Sequence, residues 1–248
     1  MNSVERVTTD LAIANRILAD HGVLDEAGHV SVRHPLNTDY YIMAGTHRPT
    51  HVPPHDIVVF ALDGRPITEG KQLLCKERFA HGAVYEARPD IHAVLYACSE
   101  DILPFTISDT PFRPVIGPVG DMGTHIPVWD IAKTFGDRTD LSVSSLERGR
   151  ELAQCLDVHR VVLMRGIGFL ATGRTLNDLV RMSVYIPKKC SFSSELPRDR
   201  KDPKSVARRD KGETGDRPGV ERDAPRLGIL GKESRMCSFD GRVRSAGP

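Results

Sequence analysis

The segment 77–105 reads ERFAHGAVYEARPDIHAVLYACSEDILPF and places a helix directly before a buried strand. We predict a helix over residues 76–87, because the residue before Pro89 disfavours helical backbone and so ends the helix. The apolar run HAVLYA at 92–97 predicts the strand. A helix that leads straight into a buried strand is typical of an α/β protein.

Patterns on both sides of this segment extend the same architecture. Apolar residues spaced by three and four over 7–18 predict a first helix, which Gly22 ends. Five β-branched or aromatic runs between turns predict further strands. These runs are HVSVR (29–33), YYIMA (40–44), DIVVF (56–60), RPVI (113–116) and RVVLM (160–164). We therefore expect one sheet covered by helices.

Two later helices begin at the spacing of a capping box. Ser144 precedes Glu147 by three residues and opens the first of them. Thr175 precedes Asp178 in the same way and opens the last predicted helix. Both carry apolar residues at helical spacing, which fits a sheet covered by helices.

The character of the chain changes near Lys189. The residues that follow are charged and rich in proline and glycine, and they lack any apolar period. Such a segment buries too little surface to offset the entropy of ordering it. We predict a folded domain over 1–190 and a tail over 191–248, which is disordered from about Leu196 onward.

Composition and charge exclude several classes of protein. The formal net charge is +1, although the tail is more basic than the body, so we expect no nucleic-acid partner. No stretch approaches the roughly 20 apolar residues that span a bilayer, and the charged N-terminus lacks the apolar core of a secretory signal. The five cysteines are scattered without a CxxC pair, which favours reduced thiols. We predict a cytoplasmic protein without a membrane partner.

Four segments carry a family resemblance when they are taken together. They are GHVSVR (28–33), the segment 77–105, RPVIGPVGDMG (113–123) and LMRGIGFLATGRT (163–175). In this order and spacing, the chain from about Asp10 to about Lys189 resembles the class II aldolase/adducin family. The resemblance implies an αβα sandwich with a mixed central sheet covered by helices. It also implies self-assembly into a homo-oligomer, usually a tetramer.

Two further segments, PVWDI (127–131) and LERGRELA (146–153), narrow the resemblance to one branch of the family. They resemble the decarboxylases that act on ring carboxylates, which include hydroxymethylpyridine-dicarboxylate and dihydroxyphthalate decarboxylases. This branch implies carbon–carbon lyase chemistry, of decarboxylase or aldolase type, on a small-molecule carboxylate or hydroxy-carbonyl compound.

The family's chemistry depends on a divalent metal ion (zinc, manganese or iron) that polarises a substrate oxygen. The resemblance implies three histidine ligands, two in a His-x-His pair at a strand end and one in an Arg-Gly-His-Gly turn. In this sequence Tyr96, Cys98 and Ile167 occupy those positions. A phenol is a poor ligand at neutral pH, and isoleucine has no donor atom. We therefore expect no metal cofactor in the protein as written.

Glu77 falls where the resemblance places an acidic proton shuttle beside the metal. Burial in a closed pocket would raise the pKa of such a carboxyl group and allow proton exchange near neutral pH. The alternative is a glutamate at the N-terminus of a helix, stabilised by the helix dipole. Because a shuttle has no metal ion to serve here, the sequence favours this second interpretation.

Three further residues are candidates for the substrate pocket. His81 lies on the same helical face as Glu77, His125 precedes the PVWDI segment, and Arg165 could clamp a carboxylate. Their alternatives are a structural hydrogen bond, a turn and an exposed cation, respectively. A weaker metal candidate is a loop cluster of three histidines, since neighbouring prolines prevent a helix that would align them. The cluster consists of His47, His51 and His55.

Two functional hypotheses from different classes remain open. The first is an enzyme related to the metal-dependent carbon–carbon lyases, of decarboxylase or aldolase type, that works with an unusual or absent metal ion. As written, we expect it to have negligible metal-dependent lyase activity and so to be inactive in this form. The second is a non-catalytic, adducin-like oligomerisation module or a decayed gene product. A shift of reading frame near residue 190 would explain the change of character in the tail. Metal analysis of the purified protein separates the two classes.

Overall fold

The computed structural model describes residues 3–45, 49–50, 52–53, 56–67, 74–113, 120, 122–123 and 125–195, with side chains as far as Pro187. Over these ranges the chain forms seven strands and six helices. The strands are β1 (His29–Arg33), β2 (Tyr40–Ala44), β3 (Ile57–Ala61), β4 (Ala93–Cys98), β5 (Val128–Trp129), β6 (Val161–Met164) and β7 (Gly168–Gly173). The helices are α1 (Ser3–Asp20), α2 (Arg78–Ala87), α3 (Leu103–Ile107), α4 (Ala132–Phe135), α5 (Leu146–Leu156) and α6 (Leu176–Glu195).

The strands form one mixed sheet in the order β3-β2-β1-β4-β7-β6-β5. Neighbouring strands are antiparallel except β5 and β6, which are parallel. β4 lies at the centre between β1 and β7, and its Tyr96 stands opposite His29 of β1. The predicted α/β fold with a mixed central sheet is confirmed.

Helices cover both faces of the sheet and divide the interior into two cores. One core lies against α1 and α6 and takes Leu95 and Ala97 from β4. The other lies against α2 and α5 and takes Val94 and Tyr96 from the same strand. Because alternate residues of a strand point to opposite faces, the central strand supplies both cores. The result is the predicted αβα sandwich.

The contact between α2 and α5 depends on a glycine. A Cβ atom built on Gly149 of α5 would lie 2.4 Å from the carbonyl oxygen of Phe79 in α2. No larger residue fits at this distance, so any substitution would push the two helices apart. This contact holds α2, whose first turn lies beside the candidate site.

Of the two predicted capping boxes, the one at Thr175 is confirmed and the one at Ser144 is shifted by a residue. The hydroxyl of Thr175 accepts a hydrogen bond from the backbone N–H of Asp178 at 3.1 Å, as its capping pattern predicts. For α5 the predicted cap, Ser144, is wrong. Ser145 is the last extended residue before the helix, and its hydroxyl accepts from the N–H of Arg148 at 3.3 Å.

The first helix ends where the sequence pattern predicts. Gly22 adopts a φ of +68° just after α1, a conformation that glycine allows at low cost. α6 continues to Glu195 and so crosses the predicted domain boundary at residue 190. In the described part of the chain, no helix combines the length and the apolar character needed to cross a bilayer.

Three of the predictions fall outside the described residues. They are most of the strand at 113–116, the histidine cluster of His47, His51 and His55, and the disorder of the tail from Leu196 onward.

Candidate active site

A cavity of about 210 Å³ opens at the end of the sheet where β1 begins and β4 ends. β1 and β4 are neighbouring antiparallel strands, so the start of one and the end of the other lie side by side there. The walls include Asn15 of α1, His29 of β1, Cys75 and Glu77 from the loop before α2, and Tyr96 and Cys98 of β4. The pocket therefore collects side chains from four separate parts of the chain.

Glu77 presents its carboxylate to this pocket. The Ser142 hydroxyl donates a hydrogen bond to Oε1 at 2.8 Å, and the Cys75 thiol donates to Oε2 at 3.3 Å. Although Glu77 occupies the N-cap position of α2, its side chain makes no capping hydrogen bond. Contacts within the pocket orient the carboxylate, which favours a site residue over a glutamate held only by the helix dipole.

The surroundings of Glu77 lower the pKa of its carboxyl group. Burial by itself raises this pKa, but the hydrogen bond from Ser142, the nearby His29 and the thiol of Cys75 outweigh it. This direction is opposite to the raised pKa that a proton shuttle in a closed pocket would have. At neutral pH Glu77 is a carboxylate, which can accept a proton or bind a cation.

His29 is the main residue of the site that the sequence analysis did not identify. Its Nδ1 lies 2.7 Å from Nε2 of His81, and its Nε2 lies 3.9 Å from Oε2 of Glu77. Nε2 is buried and has no hydrogen-bond partner among the described residues. Burial lowers the pKa of His29 to about 4, so the imidazole is neutral at neutral pH.

His81 lies behind His29 and is not part of the pocket wall. It is fully buried, with Nδ1 2.7 Å from Oγ of Ser31, which in turn lies 2.9 Å from the Tyr85 hydroxyl. Burial and the neighbouring His29 hold the pKa of His81 well below its usual range. This placement corresponds to the structural alternative for His81 and connects the pocket to a buried chain of hydrogen bonds.

The three positions where the resemblance places histidine ligands lie at the same end of the sheet. Tyr96 and Cys98 line the pocket, and Cys98 pairs with Gly168, the residue after Ile167. Tyr96 is buried and stacks on the His29 ring, with ring centroids 5.0 Å apart. Burial raises the pKa of the Tyr96 hydroxyl and raises the pKa of the Cys98 thiol to about 11, so both stay protonated. Ile167 packs against the core that contains Tyr96.

The other two predicted pocket residues lie elsewhere. His125 is exposed and lines a separate cavity, and its ring meets His159 edge-on with centroids 5.6 Å apart. The Arg165 side chain is 51% exposed, with Nε 3.5 Å from Oδ2 of Asp130. Neither belongs to the described residues that line the pocket of Glu77. Arg165 therefore corresponds to the alternative of an exposed cation, and His125 lies in irregular backbone before β5.

The pocket also brings together donor atoms that the sequence analysis did not combine. A ring nitrogen of His29, the sulfur of Cys75 and a carboxylate oxygen of Glu77 lie within 4.8 Å of one another. Nitrogen, sulfur and oxygen donors of these types bind transition-metal ions in proteins.

Comparisons with known proteins identify the family of this chain and several of its relatives. Residues 9–193 match the family described as Class II Aldolase and Adducin N-terminal domain. The chain is 32% identical to decarboxylase tropJ of Talaromyces stipitatus over 181 residues, and this alignment covers 68% of each of the two chains. It is 25% identical over 153 residues to decarboxylase NovR of Streptomyces niveus, covering 61% of this chain and only 54% of that relative. A crystal structure of an aldolase II superfamily protein from Pseudomonas syringae superimposes with a TM-score of 0.68 at 17% identity, over 84% of each chain.

Proposed function

The chain belongs to the class II aldolase and adducin family, and we propose that it is a decarboxylase-type member whose pocket no longer supports the family's metal-dependent carbon–carbon cleavage. The family is generally dependent on a divalent metal ion. One observation carries the proposal: at the end of β4, Tyr96 and Cys98 line the pocket in place of a histidine pair.

The residues at the three family positions do not fit the family's metal ion. A tyrosine hydroxyl binds a metal well only as the phenolate, and burial against His29 disfavours that form. Ile167 has no donor atom at all. Cys98 alone supplies one ligand, whereas zinc sites use three or four.

The proposed ligand of the pocket is a small carboxylate-bearing compound. The relatives tropJ and NovR are both named decarboxylases, which supports this class of substrate for the ancestral site. Glu77 is the group that would move a proton, because its carboxylate is ionised and faces the cavity. The Ser142 hydroxyl holds one carboxylate oxygen and so fixes the direction of the other.

Loss of the metal ion would leave the reaction without its main source of charge stabilisation. Loss of carbon dioxide or a retro-aldol cleavage leaves negative charge on the substrate, which needs an electrophile nearby. No lysine or arginine lines the described part of the pocket. Hydrogen bonds alone would have to stabilise that charge, so we expect negligible turnover.

Restoring the three ligands tests the proposal. The triple variant Tyr96→His/Cys98→His/Ile167→His should gain metal-dependent activity on hydroxylated ring carboxylates, assayed with zinc, manganese or iron. Each 1.36 kcal/mol of transition-state stabilisation is about tenfold in rate, so a metal ion worth several kcal/mol predicts a difference of at least about a hundredfold. The matched variant Tyr96→Phe/Cys98→Ser/Ile167→Val should stay inactive. Turnover by the unchanged protein that chelation abolishes would contradict the proposal.

A second candidate function, a non-catalytic oligomerisation module, rests on an apolar strip along α1. Ile13 and Ile17 are 49% and 39% exposed, and they line a groove with Val180 of α6. Members of this family are commonly oligomeric. We propose that the chain forms a homo-oligomer, a tetramer by analogy with the family, in which a second copy covers this strip.

Light scattering checks this second candidate. The unchanged chain should scatter as a species larger than a monomer across micromolar concentrations, and Ile13→Asp/Ile17→Asp should dissociate it, because charges would then lie in the apolar contact. A monomer at every concentration would reject the proposal.

We also propose a cytoplasmic location. The described cysteines Cys75, Cys98 and Cys155 are all free thiols, and free thiols are typical of a reducing compartment. Cell fractionation with antibodies against the chain checks this location.

A further inference from the structure

We infer that His29, Cys75 and Glu77 form a binding site for one Zn²⁺ ion, separate from the positions where the family holds its metal. The ligands come from the start of β1 and the loop before α2, not from the end of β4 and the β6–β7 turn. The inference does not depend on the proposed loss of lyase activity, because an ion bound to Glu77 would engage the carboxylate that proton transfer needs and so can bind without supporting turnover.

The distances between the donor atoms fit a tetrahedral ion. With bonds of about 2.0–2.3 Å from zinc to nitrogen, oxygen and sulfur, neighbouring tetrahedral donors lie about 3.4–3.6 Å apart. In the structure, Oε2 of Glu77 lies 3.3 Å from Sγ of Cys75 and 3.9 Å from Nε2 of His29, and all three donor groups lie within 4.8 Å of one another. Side-chain rotations that draw the donors together by about 1 Å or less would enclose an ion between the three atoms.

His29 and Glu77 each have their other polar atom already engaged. Nδ1 of His29 lies 2.7 Å from His81, and Oε1 of Glu77 accepts the Ser142 hydroxyl at 2.8 Å. Metal-binding histidines and carboxylates in proteins have such outer partners, which fix the orientation of the ligand. These contacts leave Nε2 and Oε2 to face each other and the Cys75 sulfur.

The buried, unpartnered Nε2 atom of His29 points independently to a ligand. The His29 side chain is only 10% exposed, and Nε2 has no hydrogen-bond partner among the described residues. Buried polar atoms in proteins almost always have partners, so an exception calls for an ion or other ligand. Nε2 of His29 and Oε2 of Glu77 are too far apart for a hydrogen bond, but they are close enough to hold one ion between them.

The protons can be accounted for along the buried chain. In the ion-bound form the Cys75 thiol gives its proton to solvent, and the thiolate binds the ion in its place. His29 carries its remaining ring proton on Nδ1 and donates it to Nε2 of His81. His81 then donates from Nδ1 to the Ser31 hydroxyl. The thiolate and the Glu77 carboxylate together balance the charge of Zn²⁺.

Three protein ligands leave a fourth tetrahedral position open. The three residues all line the cavity, so this position faces the space where a water molecule or a small ligand would lie. Catalytic zinc sites share this arrangement of three protein ligands with water or substrate in the fourth position.

The experiment measures metal binding by the full-length chain. The protein, freed of metal by a chelator, is titrated with Zn²⁺ against a chromophoric competitor, and separately with Co²⁺, whose thiolate charge-transfer band reports cysteine ligation. We expect one equivalent per chain and a band that Cys75→Ser removes. His29→Gln and Glu77→Gln should each weaken Zn²⁺ affinity by at least about tenfold.

Matched controls separate this site from the other thiols and from the family positions. Cys155→Ser removes a thiol of α5 outside the pocket and should leave both stoichiometry and band unchanged. Tyr96→Phe and Cys98→Ser should also keep both, whereas an ion held at β4 would be lost. Circular dichroism shows whether each variant is folded.

Two results would overturn the inference. One is an unchanged chain that takes up no tightly bound equivalent of Zn²⁺. The other is a Co²⁺ band that survives Cys75→Ser and disappears in Cys98→Ser. Zinc binding without turnover supports the inference and leaves the proposed loss of activity standing. Zinc binding with turnover supports the inference and rejects that loss, so the two proposals fail separately.

Discussion

Strand β1 packs against helices on both faces, with apolar residues on one face and polar residues on the other. Val30 and Val32 belong to the core beneath α1 and α6. His29, Ser31 and Arg33 alternate with them, point toward α2 and are just as buried. The apolar residues need only a complementary shape, whereas each polar residue needs a hydrogen-bond partner in a fixed place.

The partners on the polar face come mainly from α2 and the turn after it. Ser31 contacts the side chains of His81 and Tyr85, and Arg33 donates to the backbone carbonyl oxygens of Tyr85 and Arg88. These hydrogen bonds fix α2 on β1 and therefore fix the loop that carries Glu77 and Cys75. The apolar face of β1 therefore supplies packing alone, whereas the polar face supplies packing and also fixes the geometry of the site.

Breaking the polar face at Arg33 should have the largest effect. Its guanidinium donates to the carbonyl oxygens of Thr38, Tyr85, Arg88 and Ile91. Arg33→Met keeps an unbranched stem but leaves these oxygens unpaired, and each buried unpaired group costs about 1–3 kcal/mol. We expect the free energy of unfolding, measured by urea titration, to fall by about 4 kcal/mol.

The control for Arg33 is Arg65→Met. The Arg65 side chain is 69% exposed beside Asp63, so its loss should change the free energy of unfolding by less than about 0.5 kcal/mol. A loss below about 1 kcal/mol in Arg33→Met would mean that water replaces its hydrogen bonds, and the distinction between the faces would weaken.

On the apolar face, shape should matter more than chemical detail. Leu95 of β4 is fully buried in the core beneath α1 and α6. Leu95→Ala leaves a cavity and should lower the free energy of unfolding by about 3 kcal/mol. Leu95→Met nearly conserves the volume and should cost less than about 1.5 kcal/mol. Equal losses in the two variants would show that this face is as specific as the polar one.

Substitutions of two buried serines allow a direct comparison of the two faces. Ser31 has two hydrogen-bond partners on the α2 face, whereas Oγ of Ser183 in α6 has none among the described residues. Ser31→Ala orphans His81 and Tyr85 and should cost about 2 kcal/mol, while Ser183→Ala should be neutral within about 0.5 kcal/mol. Thermal or urea unfolding of the two variants gives the ranking, and the reverse order would break the comparison.

Elements with a clear periodicity could be predicted from the sequence, whereas short or doubly buried ones could not. The alternation of β1 and the three-four spacing of α1 mark both correctly. β7, with the sequence GFLATG, is buried at all six positions and shows no alternation. α3 and α4 have five and four residues, which is too short for a helical period to show.

The site could be predicted only in part. The resemblance placed Glu77 and the substitutions at Tyr96 and Cys98, but not His29. The alternation on β1 suggests a polar face in water, and nothing local reveals that α2 covers it. His29 meets His81 across 52 positions of sequence, a contact that only the tertiary packing of α2 on β1 creates. One sequence signal could have indicated that His29 belongs to the site. It is the row of polar residues at alternate positions of β1, which begins next to Gly28.

The smallest effect is expected at the rim of the polar face, where Glu86 of α2 pairs with Arg150 of α5. The guanidinium donates to the two carboxylate oxygens at 2.7 and 2.8 Å. These hydrogen bonds lower the pKa of Glu86 from its ordinary value of 4.5. A carboxyl group with a lower pKa in the folded chain adds stability above its unfolded pKa and loses it as the pH falls through the folded pKa.

Glu86→Gln should therefore reduce the free energy of unfolding slightly at neutral pH, and the difference from the unchanged protein should shrink below about pH 4. Added salt should shrink it as well, because both side chains are about half exposed and screened by solvent. Urea titrations of Glu86→Gln, Arg150→Gln and the double variant at two pH values isolate the pair from its surroundings. A coupling as large as the loss at Arg33, or one that does not depend on pH, would mean that the rim behaves like the buried interior. The chemistry of the polar face would then matter at its edge as much as at its centre, and burial alone would not explain the difference between the two faces.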